Sequence, residues 1–277
     1  MKEENLIIIG APRSGTNMLR DILTSFNEIG TWPCDEINYI WRYGNVRYPS
    51  DEFPEKLATT KISKYIQNKF SSLRKNQGVR IVVEKTCANS LRVPFVERAI
   101  PNAKYIFIYR DGIDATASAK LRWTAKLDIP YILKKVRFVP LTDIPYYAVR
   151  YLWSRAYRIF SKEERLAFWG PALDNIEVIL KSHTLNEVCA LQWQRCVEKA
   201  ESAFAGISND RVIRICYENF VRNPKNELNR ILGFLNIECS EILIEKVVNS
   251  VSSKSVGKGR QALSSNEIAN IESLVGD

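Results

Sequence analysis

Histidine is nearly absent: His183 is the only one among 277 residues, which excludes a histidine-rich metal site and leaves a carboxylate-based one open. Six cysteines are scattered without a CxxC pair, so neither a zinc ribbon nor a thioredoxin-type redox centre is expected. Cys189 and Cys196 share a helical stripe with Trp193, Val197, Ala200 and Phe204, the pattern of reduced thiols in a core. No run reaches the roughly 18 apolar residues that a membrane span needs. Met1-Lys2-Glu3-Glu4 leads straight into an apolar strand and does not resemble a secretory leader, so the expected location is cytoplasmic. Repeats, low-complexity tracts and linkers are also lacking. With 45% hydrophobic and 26% charged residues, the chain reads as one globular domain, 1–277. Forty Lys and Arg against 31 Asp and Glu leave a net charge of +9, which favours anionic ligands. No compact Lys/Arg tract accompanies that charge, so nucleic acid is not an expected partner.

What is present begins with LIIIGAPRSGTN, Leu6 to Asn17. Four apolar residues, Leu6 to Ile9, suit a strand buried on both faces of a parallel sheet. Gly10 ends it, a Gly-x4-Gly turn follows, and Leu19, Ile22, Leu23 and Phe26 carry helical spacing. A turn of this kind aims backbone N–H groups and a helix N-terminus at an anion. It departs from the Walker A pattern where Lys and then Ser or Thr belong, because Thr16 and Asn17 stand there. An ordinary nucleoside triphosphatase is therefore disfavoured. Arg13 supplies a forked cation inside the loop instead.

Further along, Asp35 and Glu36 follow a second short strand near Ile29, at the sheet edge where open α/β sheets bind ligands. Asp35 reads equally as a cap for a helix through Ile37 and Ile40 or as a crevice carboxylate; Glu36 reads as the crevice carboxylate. Residues 54–75 have helical spacing. Val79 to Glu84 forms another strand ending in Glu84-Lys85-Thr86, with Lys85 either a site residue or an ordinary surface lysine. Ala103 to Tyr109 is a fourth strand, and Arg110-Asp-Gly-Ile-Asp opens a helix on which Ser118 and Arg122 lie four apart on one face. With Arg110 these two can converge on one dianion, although a structural Arg–Asp pair is the plainer alternative. From Trp123 to Thr184 the chain is rich in aromatics and cations and reads as a helical insertion lidding the sheet, with Val149, Leu152, Trp153, Ala156 and Phe160 on a buried stripe. A long helix over 185–205, a strand over Val212 to Tyr217 and a helix carrying Leu228, Ile231, Leu232 and Leu235 complete the pattern. The crossovers are long enough to be helical, so the fold expected is a three-layer, P-loop-like α/β sheet flanked by helices.

These motifs resemble the sulfotransferases that use 3′-phosphoadenosine 5′-phosphosulfate (PAPS), in their bacterial carbohydrate-type and Golgi-type forms. PRSGTN resembles the 5′-phosphosulfate loop, Glu84-Lys85-Thr86 with Asn89 the strand end beside the sulfuryl group, and Arg110 with Ser118 eight residues on the 3′-phosphate site. The resemblance covers most of the chain outside 123–184. It implies transfer of a sulfuryl group from PAPS to an acceptor hydroxyl, with a carbohydrate as the expected acceptor and no metal. Arg13, Ser14, Gly15, Thr16 and Asn17 would hold the 5′ end, and Arg110, Ser118 and Arg122 the 3′-phosphate. Tyr217 and the glycine-containing basic loop with Lys258, Gly259 and Arg260 would lie by the nucleotide. Lys85 would offset charge on the bridging oxygen, and Glu36, or Asp35 in its place, would take the acceptor proton. A P-loop-type kinase and a non-catalytic nucleotide- or glycan-binding protein remain the alternatives.

Overall fold

The computed structural model describes residues 3–124, 138–149, 152, 166 and 168–275. Leu6, Ile7, Ile8 and Ile9 have no exposed surface, which requires cover on both faces of the strand that carries them. That strand, β1 (Glu4–Ile9), is the middle of a five-stranded sheet in the order β2-β3-β1-β4-β5. The others are β2 (Ile29–Gly30), β3 (Ile81–Lys85), β4 (Lys104–Tyr109) and β5 (Val212–Cys216), and every neighbouring pair is parallel.

Alternation along the strands divides the core in two. Leu6, Ile8, Ile106, Ile108 and Ile215 point to a layer built on α1 (Thr16–Leu23) and the helix Pro224–Leu235. Ile7, Ile9, Val82, Tyr105 and Phe107 point to the other, which holds α3 (Thr60–Gln77), α4 (Val93–Ala99) and the end of the helix Leu185–Phe204. Each such side chain, fully buried, stabilises the fold by about 1.5–3 kcal/mol. Helix α3 begins later than its apolar spacing suggests, because Pro54 leads only into a 3-10 turn and Thr59 then caps the helix by accepting from the Ile62 N–H. Gly78, at φ 65°, stops it. The short α2 (Asn38–Trp41) and α5 (Gly112–Trp123) follow β2 and β4.

Register then sets the site. Ile8 lies opposite Lys85 and Ile9 opposite Phe107, so the loop after β1, the end of β3 and the end of β4 leave the same edge side by side. Nearly half of the expected insertion, including Arg150, Tyr151, Trp153, Arg155, Tyr157 and Arg158, lies outside the described residues. Within it, Ile176–Ser182 is helical. Val149 and Leu152 are 69% and 65% exposed and do not join a buried stripe; helical spacing gathers apolar residues on one side without deciding which side meets the core. No helix among the described residues is long and apolar enough to cross a membrane.

Candidate active site

The loop between β1 and α1 is held by its glycines and by one serine. The Gly10 N–H donates to Ser90 Oγ at 3.1 Å, and a Cβ on Gly10 would stand 2.6 Å from the Ile108 carbonyl oxygen. Arg13 takes a positive φ of 69° and Gly15 one of 88°; a Cβ on Gly15 would come within 2.4 Å of the Tyr217 ring. Helix α1 starts at Gly15 with no side chain capping it, so its first amides are available to a ligand.

At the end of β3, Lys85 Nζ donates to Glu36 Oε1 at 3.0 Å, and the Cys87 N–H reaches the same oxygen at 3.3 Å. Lys85 is only 4% exposed. Burial works to lower its ammonium, but the Glu36 charge, Cys87 and the hydrogen bond outweigh it and the pKa is raised, so the lysine stays charged. Behind this pair Thr86 Oγ1 accepts from the Ile37 N–H at 3.2 Å and donates to Glu84 Oε1 at 2.5 Å, which ties the chain beside Glu36 to the sheet. Glu84 also accepts from Asn89 at 3.0 Å. Complete burial pushes its carboxyl up to about 7. Asp35 does not cap α2: the cap position is Ile37, without a side-chain bond, and the Asp35 carboxylate pairs with Arg20 at 3.4 Å. A cation one helical turn into α1 competes for it more strongly than backbone amides do.

At the end of β4, Arg110 is a hub. Nη1 donates to the Arg13 carbonyl at 3.0 Å, and Nη2 to the Ser255 carbonyl at 2.7 Å and to Asp114 Oδ2 at 3.5 Å. Its guanidinium lies 4.5 Å from the centre of the Tyr217 ring, whose hydroxyl meets Ser255 Oγ at 2.6 Å. Only Nε is buried without a partner. Arg13 Nε donates to Ser118 Oγ at 2.9 Å. Burial together with the charges of Arg122 and Arg110 lowers the Arg13 pKa, because three cations are gathered at one place.

These pieces line one cleft of about 1350 Å³. Arg13, Gly15, Thr16, Asn17, Glu36, Lys85, Arg110, Ser118, Arg122, Tyr217, Lys258 and Gly259 all border it. Two residues expected at the site do not. Ser14 is fully buried behind the loop, its N–H donating to the Ala11 carbonyl at 3.2 Å. Arg260 turns away to Glu272 at 3.1 Å, because one step past Gly259 the short helix Lys258–Ala262 carries its side chain to solvent. His183 is also absent from the lining, with Nδ1 2.8 Å from Ser182 Oγ. Sequence reasoning missed Asp114 as a cleft residue, along with Asn38, Phe168, Trp169 and Ser255. The Arg110–Asp114 spacing was the one signal available; the rest come together only through long-range packing.

A parallel sheet in this order, with a glycine turn leading from its middle strand into a helix, defines the P-loop-like class of α/β folds. The sulfotransferase family model matches residues 5–165 and 156–241. This chain belongs to the sulfotransferase family, and its activity is that of a sulfotransferase. It is similar in structure to the sulfotransferase domain of the curacin biosynthetic pathway, at 14% identity and TM-score 0.58, over 98% of this chain and 96% of that one. The sulfotransferase domain of the Synechococcus PCC 7002 olefin synthase gives 14% and 0.53, over 100% and 97%. Mouse sulfotransferase SULT7A1, complexed with PAP, gives 15% and 0.54, over 99% and 84%. Comparison with curated proteins finds no match.

Proposed function

We propose that this protein moves the sulfuryl group of PAPS to a hydroxyl of a carbohydrate acceptor. The observation that carries the reading is that Lys85 and Glu36 border the same cleft as the Arg13 loop, which a binding protein without chemistry has no reason to arrange. The donor fits the crowded cations Arg13, Arg110 and Arg122 and the buried, unpartnered Arg110 Nε. The complex of the mouse enzyme with PAP supports a donor of this class.

Sulfuryl transfer resembles phosphoryl transfer, so catalysis is mostly positioning and charge stabilisation. Amides at the start of α1 and the Arg13 fork hold the 5′ end, while Ser118, Arg122 and Lys258 face the 3′-phosphate. Lys85, kept charged by Glu36, offsets negative charge on the bridging oxygen as the bond to sulfur breaks. Glu36 takes the acceptor proton. Asp35, held by Arg20, is the second candidate for that role. Because protein cations supply the charge, no divalent cation is required. Trp169, Phe168 and Asn38 on the cleft wall suit a sugar, which stacks on aromatic rings and hydrogen-bonds an amide. We further propose that 1–277 folds as one domain and works in the cytoplasm, where its six free cysteines would stay reduced.

The test is transfer of radiolabelled sulfate from PAPS to a panel of oligosaccharides in excess EDTA. Turnover near the untreated rate is expected. Turnover lost in EDTA and restored by magnesium, with phosphate transferred from ATP, would put the kinase reading first.

A further inference from the structure

A carboxylate inside a cleft built for anions calls for a reason. Asp114 is 4% exposed and borders the cleft between Arg110 and Lys258. Both of its oxygens are engaged: Oδ2 accepts from the Gly257 N–H at 2.7 Å and from Arg110 at 3.5 Å, and Oδ1 from the Gly259 N–H at 2.6 Å. Asp114 is itself fixed, since its own N–H donates to the capping Asp111 Oδ1 at 2.8 Å. The segment it grips comes from more than 140 residues away and can approach only because Gly259 has no side chain. A Cβ there would lie 2.6 Å from the Ile113 carbonyl oxygen and 2.7 Å from Asp114 Cα. Gly257, at φ 77°, makes the bend that brings both amides to one carboxylate. Two further contacts close the same segment onto the same place, Arg110 to the Ser255 carbonyl and Tyr217 to the Ser255 hydroxyl.

Resting on the donor reading above, we propose that Asp114 is a positioning residue for donor recognition: it latches Ser255–Gly259 across the cleft and so sets Lys258 and Arg110 around the 3′-phosphate. In this arrangement Asp114 acts through the segment it holds. The Arg110 guanidinium offsets its charge and two backbone N–H groups hydrogen-bond it, so the dianion meets the cations and not the carboxylate.

Simple electrostatics and the latch give opposite signs for one substitution. Asp114→Asn removes a negative charge, which by Coulomb attraction alone would tighten binding of an anionic donor. It also turns an N–H donor toward the amide of Gly257 or Gly259, which breaks the latch. Calorimetry with 3′-phosphoadenosine 5′-phosphate and with AMP, joined to steady-state kinetics with PAPS, separates the two. The latch predicts that Asp114→Asn weakens the bisphosphate and raises the PAPS KM by about ten- to hundredfold, with AMP affinity and kcat at saturating donor moved far less. Lys258→Ala and Asp114→Asn together should cost less than the product of their separate effects, since part of the Asp114→Asn effect runs through Lys258. Gly259→Ala, whose methyl group lifts the segment off the backbone of Ile113 and Asp114 while the Asp114 carboxylate is kept, should reproduce the split and carries the test should Asp114→Asn not fold. Bisphosphate bound as tightly or more tightly by Asp114→Asn, equal losses for both nucleotides, or effects that multiply in the double variant would overturn the latch. A wild-type protein with no preference for the bisphosphate over AMP would instead overturn the donor reading, and the latch with it.

Discussion

A lysine buried beside a glutamate keeps its charge because of that glutamate, so substitutions at this pair report on each other. Glu36→Gln keeps the shape and removes the basicity; turnover should fall about 10²–10⁴-fold while calorimetry finds bisphosphate binding largely intact. Wild-type turnover in Glu36→Gln, with loss in Asp35→Asn, would move the base to Asp35. The neighbouring Glu84 makes a different prediction, about stability. Complete burial raises its carboxyl from 4.5 in an unfolded chain to about 7. Between those values the folded state binds more protons than the unfolded state, so stability falls as pH rises through this window. The shift corresponds to about 3 kcal/mol. Urea unfolding from pH 4.5 to 8 should show the decline, and Glu84→Gln should flatten it.

Among the elements, the loop into α1 depends on Gly15 for both its conformation and its clearance. Gly15→Ala would place a methyl group against the Tyr217 ring and strain a positive φ, costing about 1–3 kcal/mol. Thermal unfolding should register that loss, together with weaker nucleotide binding because the first amides of α1 shift. Arg110 joins three elements at once, the loop after β1, helix α5 and the segment carrying Ser255. Arg110→Ala should therefore erase most of the preference for the bisphosphate over AMP and also speed hydrogen exchange over 252–262. Lost preference with unchanged exchange would mean that Arg110 serves the ligand alone.

For the whole molecule, the proposed donor site couples strands, loops and the C-terminal segment, so ligand binding should appear as global stability. At a concentration one hundred times its Kd, a ligand selective for the folded state stabilises it by about 2.7 kcal/mol. Calorimetric unfolding with 3′-phosphoadenosine 5′-phosphate should show one transition moved up by several degrees, and AMP at the same concentration should move it far less. Two separate transitions, only one of them shifted, would contradict the single-domain proposal.

Local pattern by itself determined the strands, the glycine turn and the helices that follow them, because a strand buried on both faces must be continuously apolar and a turn at positive φ needs glycine. The Leu6–Ile9 run, Gly15, and the Arg110 to Ser118 spacing were legible for that reason, and with them the family. Tertiary structure alone decided which polar groups are already engaged. Arg110 reads in the sequence as a dianion ligand or as half of a structural Arg–Asp pair; it does meet Asp114, and both of its terminal nitrogens donate to protein oxygens. Asp35 reads equally as a cap or as a crevice carboxylate and is an ion-pair partner bordering the cleft; Arg260 reads as a site cation and faces Glu272. Each outcome depends on partners about 12 to 145 positions distant, and which side chain reaches them is set by sheet register and helix packing, which no local spacing encodes.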